Sequence, residues 1–143
     1  MLGTFNLEIA RLYNYILQDE KSQYGIIHGL DGYDEISLTS GFKLFTKFGE
    51  QLINPEDNGL ERISQSEIYG GNSVEDAAKI FKNIIEGKGT NAQNSVVLAN
   101  AAYALKIIDQ NLTFEEAYNT AEGSLLGGKA SQCLHKLITN CSS

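Results

Sequence analysis

Residues 28–35 read His28-Gly29-Leu30-Asp31-Gly32-Tyr33-Asp34-Glu35, a short run with three carboxylates and two glycines, directly after the apolar stretch Tyr24-Gly25-Ile26-Ile27. Neighbouring carboxylate oxygens are the ligands that Mg2+ or Ca2+ demands, and glycine lets a backbone turn through positive φ and approach a ligand closely. A strand feeding a loop that holds a hard cation has this composition. An EF-hand is excluded, because taking Asp31 as the first ligand puts Tyr33 third and Ile36 where glycine is required. Ligands of open α/β sheets gather beyond the carboxyl ends of parallel strands, which suits this position. Spacing alone leaves a solvated turn of an acidic protein equally open.

Other polar residues have plainer roles. His28, following a buried strand, is expected to tie down the loop with a hydrogen bond rather than act as a base or metal ligand. Asn100 interrupts the apolar run 96–102, and once buried it needs a partner, which an adjacent loop backbone would supply. Gly70-Gly71 before a helix is read as a tight turn, the alternative being backbone N–H groups aimed at an anion. His135, near Lys129 and Lys136, is read as a surface residue. Cys133 and Cys141 have neither Cys-x-x-Cys spacing nor histidines placed for zinc, and are read as reduced and chemically idle. The chain carries no Gly-x-Ser-x-Gly, no Walker A loop and no Cys/His pair with a third member, so no local motif completes an active site.

These residues must be positioned by a βαβ opening, antiparallel strands and a set of C-terminal helices. Asn6 is an N-cap for a helix to about Asp19, with Leu7, Ala10, Tyr13 and Leu17, flanked by Ile9, Leu12 and Ile16, forming a wide buried face. A short strand ending at Phe5 precedes it and a buried strand at 24–27 follows, giving strand, helix, strand in a parallel sheet. Alternation at 36–39, 42–48 and 51–53 predicts half-solvated antiparallel strands, the last two joined by a turn at Gly49-Glu50. Pro55 opens a single helical turn ending at Gly59-Leu60. Ser73 with Asp76 starts a helix through Ala77, Phe81, Ile84 and Ile85 that stops at Gly87. The next helix, 91–109, is the most apolar and is expected to be the most buried. Thr113 with Glu116 caps a third, through Ala117, Ala121 and Leu125, and residues 129–139 form the last, with Leu134, Leu137 and Ile138 inward.

The 143 residues have the size of one domain, and 42% hydrophobic with 20% charged residues is a globular composition. A net charge of −7 argues against nonspecific nucleic-acid binding, which needs a basic patch. A phosphate ligand stays open to it, since a bound divalent cation reverses the local charge. No apolar run spans a bilayer and no secretory signal is visible, so a cytoplasmic protein without membrane contact is expected.

The segment His28-Gly29, Asp31-Gly32, Asp34-Glu35-Ile36-Ser37-Leu38-Thr39 resembles that of the anthranilate phosphoribosyltransferases, which read His-Gly, Asp-Gly-Leu-Asp-Glu, Ser-Leu-Thr, with Tyr33 replacing a leucine. Pro55-Glu56-Asp57-Asn58-Gly59-Leu60 is similar to the family's Pro-Glu-Asp-Phe-Gly-Leu, and Gly70-Gly71, Asn100-Ala101-Ala102 and Gly128-Lys129-Ala130 fall in the family's order. Ser40-Gly41 departs from its usual Gly-Pro. The match runs over essentially the whole chain but covers only the family's C-terminal part. Its glycine-rich Gly-Thr-Gly-Gly-Asp loop, Lys-His-Gly-Asn segment and N-terminal helical domain are absent, and Leu2-Gly3-Thr4-Phe5 resembles an internal strand.

The resemblance implies a single α/β domain over 1–143, the C-terminal part of a nucleoside-phosphorylase/phosphoribosyltransferase-like domain, inactive alone. It implies Asp34 and Glu35 as ligands of the Mg2+ that accompanies the pyrophosphate, with Asp31, Gly29 and Gly32 shaping the loop. Phosphoribosyl pyrophosphate and anthranilate would be the complete enzyme's substrates, held mostly by the missing portion. Uncovered apolar surface would make the chain self-associate, as a homo-oligomer. Two other readings remain: a non-catalytic binding or regulatory module of the same fold, and a pyrimidine nucleoside phosphorylase relative.

Overall fold

The computed structural model describes residues 1–141. Strand β1 (Leu2–Gly3), helix α1 (Leu7–Leu17) and strand β2 (Ile26–Gly29) form the expected βαβ unit, with Leu2 opposite Ile26 and Gly3 opposite Ile27 in parallel register. Strands β3 (Phe42–Thr46) and β4 (Gly49–Ile53) add on antiparallel, giving a mixed sheet in the order β1-β2-β3-β4. Two 3-10 turns follow, at Pro55–Asn58 and Gln65–Ile68. Four helices complete the described chain: α2 (Val74–Ile85), α3 (Asn91–Ile108), α4 (Phe114–Leu126) and α5 (Lys129–Cys141).

Each sheet face has its own core. Ile26 and Phe45, paired across β2 and β3, pack with Ala10 of α1 and Tyr24. Ile27, Leu44 and Phe42 point the other way and pack with Ile36, Leu38, Ala99 and Tyr103. Period-two alternation in β3 therefore feeds both layers. The Phe42 and Tyr103 rings meet edge-on at 5.1 Å, and the Tyr103 hydroxyl accepts from Asn58 Nδ2 at 2.9 Å, fixing the 55–58 turn against α3. Burial raises the pKa of Tyr103, an effect the bond from Asn58 offsets only in part.

The helix caps follow the sequence. Asn6 accepts from Ile9 N–H, Ser73 from Asp76 N–H, and Thr113 with Glu116 closes a reciprocal capping box. Ala117, Ala121 and Leu125 are buried, the latter two in a cluster with Leu98. Of the helices, α3 buries the most residues.

Several expectations need correction. The strand expected at 24–27 lies two residues later, because Gly29 pairs with Phe42; His28 and Gly29 are thus inside β2. Residues 36–39 are not a strand, since Leu38 sits at φ 61 and breaks the extended path. The hairpin turn is Lys47-Phe48, and Gly49-Glu50 opens β4 opposite Thr46 and Phe45. The apolar face of α1 is only partly covered: Ala10 is buried, whereas Leu12, Tyr13 and Ile16 are exposed because nothing in the described chain packs on that side. On α2, Ala77 and Phe81 are exposed, and on α5 Leu137 and Ile138 are exposed with Leu134 half-buried. Periodicity names an apolar face; only a neighbour makes it a buried one.

Phe42 joins the sheet to α3, so Phe42→Ala is expected to cost about 3–5 kcal/mol. Urea unfolding of the purified chain measures it; a cost below about 1 kcal/mol, the level of a surface substitution, would contradict this packing.

Candidate metal centre

The acidic segment leaves β2 and folds back on itself. Gly29 N–H bonds Tyr33 C=O at 2.9 Å and Gly32 N–H bonds Gly29 C=O at 3.0 Å, while Leu30 N–H reaches Gly41 C=O at 3.0 Å. Gly32 turns at φ +90, a conformation that L side chains rarely adopt. The loop is thus closed by its own backbone and sewn to the start of β3.

The three carboxylates have different fates. Asp31 turns inward: its Oδ2 accepts from Ser37 Oγ at 2.7 Å and from Thr39 Oγ1, and its Oδ1 from Tyr33 N–H at 3.4 Å. Burial pushes its pKa up, but the Ser37 and Thr39 hydroxyls and the Tyr33 amide outweigh this and hold it below the ordinary carboxylate value. Asp34 and Glu35 are exposed, and no ion pair or side-chain hydrogen bond among the described residues engages either carboxylate.

Neighbouring elements brace the backbone beneath that exposed pair. A Cβ on Gly3 would collide with the Asp34 carbonyl oxygen, so β1 lies directly against the loop. Ile36 is buried, and its N–H and C=O both bond the Asn100 side chain of α3. Beyond it, Leu38 is buried with its carbonyl accepting from Ile63 N–H at 3.1 Å, so surrounding contacts hold it in the left-handed region.

His28 is held by a hydrogen bond, but not to the acidic loop as expected: from inside β2 its Nδ1 bonds the Thr4 carbonyl just beyond β1 at 3.0 Å, while the Thr4 hydroxyl donates to Ile27 C=O at 3.1 Å. Asn100 holds the loop backbone, as its apolar surroundings implied. Gly71 turns at φ +93 beside Asp76, which is the tight turn. Cys133, Cys141 and His135 lie exposed on α5. The sequence reading missed Gly3 as a brace and Ser37 and Thr39 as partners of Asp31. The period-two spacing of those hydroxyls after the loop was the available signal.

Among the described residues no group of three or more His, Cys, Asp or Glu converges as a metal cage. Two adjacent hard oxygen donors facing solvent instead suit Mg2+, which keeps several waters and takes only one or two carboxylates, better than Ca2+, which takes six to eight oxygens.

A mixed sheet layered with helices, with an acidic loop at the end of a parallel strand, defines an α/β domain. The chain belongs to the glycosyl transferase family, a/b domain, whose family model matches residues 1–131. It is 47% identical over 138 residues to the anthranilate phosphoribosyltransferase of Cytophaga hutchinsonii, covering 96% of this chain and 42% of that protein. It is likewise 47% identical over 137 residues to that of Flavobacterium johnsoniae, covering 96% and 41%. The chain therefore spans less than half the length of these relatives. Its fold matches anthranilate phosphoribosyltransferase from Saccharomyces cerevisiae in complex with PRPP and Mg at TM-score 0.86 and 23% identity, over 98% of this chain and 40% of that one. The enzyme from Thermus thermophilus matches at TM-score 0.86 and 22% identity, over 100% and 43%.

The ionised Asp31 carboxylate is an acid-sensitive support of the loop. Because its folded pKa is depressed, the stability it contributes is fully present above its unperturbed value of 3.8 and is lost as pH falls through the lower folded value. Asp31→Asn is expected to destabilise the chain at pH 7, with the difference from wild type shrinking as pH drops below 3.8. Thermal melts across that range measure it, and a pH-independent difference would remove Asp31 as the support.

Proposed function

We propose that this chain is the C-terminal part of the α/β domain of an anthranilate phosphoribosyltransferase, a Mg2+-dependent cytoplasmic transferase of tryptophan biosynthesis. The observation carrying this reading is the exposed Asp34–Glu35 pair on a braced loop, in a chain 47% identical to enzymes of that name. In the complete enzyme the anthranilate amine takes the phosphoribosyl group from phosphoribosyl pyrophosphate, forming a C–N bond as the C–O bond to pyrophosphate breaks. Mg2+ supplies neutralisation of the negative charge that builds on the departing pyrophosphate. Asp34 and Glu35 offer the protein's oxygens to that ion. Asp31, Gly3 and Asn100 hold the backbone that carries them, so the two carboxylates need little reorganisation when substrate arrives.

The remaining binding groups for anthranilate and the diphosphate would come from the portion of the relatives outside this match. The chain alone is accordingly inactive. Apolar side chains exposed on α1, α2 and the β3–β4 turn, among them Tyr15, Phe81 and Phe48, are the surface through which the isolated chain self-associates.

Fusion of the unmatched N-terminal portion of the Cytophaga hutchinsonii enzyme to this chain should create anthranilate-dependent release of pyrophosphate that the 143-residue chain lacks. In that fusion, replacing Asp34 and Glu35 together by alanine should lower kcat/KM by roughly 100-fold, about 2.7 kcal/mol of lost transition-state stabilisation. Full activity of the chain alone would contradict the reading, as would unchanged kinetics of the double variant across Mg2+ concentrations. Sedimentation velocity of the isolated chain should show concentration-dependent association; a strict monomer at high concentration would contradict the exposed-face argument.

A further inference from the structure

We propose that Asn100 is the positioning residue of the Asp34–Glu35 pair, setting metal affinity without touching the metal. This deepens the Mg2+ reading above and rests on it. Asn100 lies mid-way along α3, sixty-four positions from the loop it holds. Its Nδ2 donates to the Ile36 carbonyl at 2.8 Å and to the Val96 carbonyl one helical turn back at 2.9 Å, and its Oδ1 accepts from Ile36 N–H at 3.1 Å. One amide thus meets both backbone groups of Ile36, as a neighbouring strand would, at a place where residues 36–39 form no strand.

The bond from Asn100 to Val96 orients the amide before the loop arrives. Two donors face two carbonyls and one acceptor faces one N–H, so the flipped orientation would oppose every partner. The residues nearest it in shape or chemistry do not reproduce the set: leucine has neither group, aspartate has no donors, and glutamine is a methylene longer. The Ile36 side chain is buried beside Ala99 and Tyr103, so the residue is anchored through backbone and side chain together.

Ile36 follows Glu35 directly, and on the other side Asp34 lies against Gly3. The pair is therefore a two-residue span between fixed points, free only in its side chains. Releasing Ile36 would free the peptide joining it to Glu35, and the two carboxylates would then have to be ordered at the moment of metal binding. Partners that orient metal ligands alter affinity by roughly 10–100-fold when removed.

The test uses the 143-residue chain and metal alone. Mn2+ is titrated as a paramagnetic probe, following broadening of the backbone amide signals of residues 34–36 by NMR. Wild type should broaden there first, and Asn100→Ala should need roughly tenfold more Mn2+ while amide dispersion in β2, β3 and α4 is retained. A variant that keeps the wild-type midpoint overturns the role of Asn100 and leaves the metal reading standing. Absence of broadening at Asp34 and Glu35 in wild type removes the metal reading and the role together. Hydrogen exchange of the wild-type chain gives a second measurement that does not require the variant to fold. The Ile36 amide should be as protected as amides of α3 without metal and unchanged by Mg2+. Protection that appears only on adding Mg2+ would overturn prepositioning.

Discussion

The structure turns on one requirement: the backbone polar groups of Ile36 must be satisfied although no strand runs beside them. Ile36 and Leu38 have to enter the core with Phe42 and Leu44, yet the chain between β2 and β3 also has to present Asp34 and Glu35 to solvent. A buried amide left without a partner costs about 1–3 kcal/mol, so this path exists only if something replaces the missing strand. The Asn100 amide does so from α3, and the carbonyl of Leu38 is met by Ile63 N–H. Packing of α3 on the sheet and exposure of the acidic pair are consequently one arrangement.

The same logic separates three carboxylates that look alike in the sequence. Asp31 spends its acceptor capacity on Ser37, Thr39 and Tyr33, which makes it a structural anion whose ionised form the loop favours. Asp34 and Glu35 are turned outward with their oxygens uncommitted inside the fold. Leu38 supplies the turn that makes this division work. In the left-handed region it places Ser37 and Thr39 on the same carboxylate, and its own buried side chain helps hold the conformation.

Apolar surface on the outer faces of α1, α2 and α5 fits a chain that spans about 42% of the length of its relatives. The sheet also ends in short or exposed edges, with two residues in β1 and a largely exposed β4. These faces have helical periodicity strong enough to announce a partner, and the described residues provide none for Leu12, Ile16 or Phe81.

Much of the local structure was legible from residue types. Caps at Asn6, Ser73 and Thr113, the single turn after Pro55 and the alanine-lined face of α4 all follow from side chains acting within a few residues. The resemblance of the acidic segment to the family's motif, rather than residue spacing, set Asp34 and Glu35 apart from Asp31. Where reading failed, the deciding interaction was remote. Residues 36–39 alternate like a strand, but no strand is available to pair with them, and Asn100 and Asp31 draw them into another path. The hairpin register depended on Phe42 pairing with Gly29, which moved the turn to Lys47-Phe48. Buried and exposed apolar faces have the same period. By itself, then, the sequence determined most of the elements and their caps, because those rest on local geometry, whereas Asp34 and Glu35 were set apart from Asp31 only by their resemblance to the family's motif. Tertiary structure alone decided that Gly3 and Asn100 brace that pair from two sides, because each contact joins backbone to a residue that no periodicity connects to it.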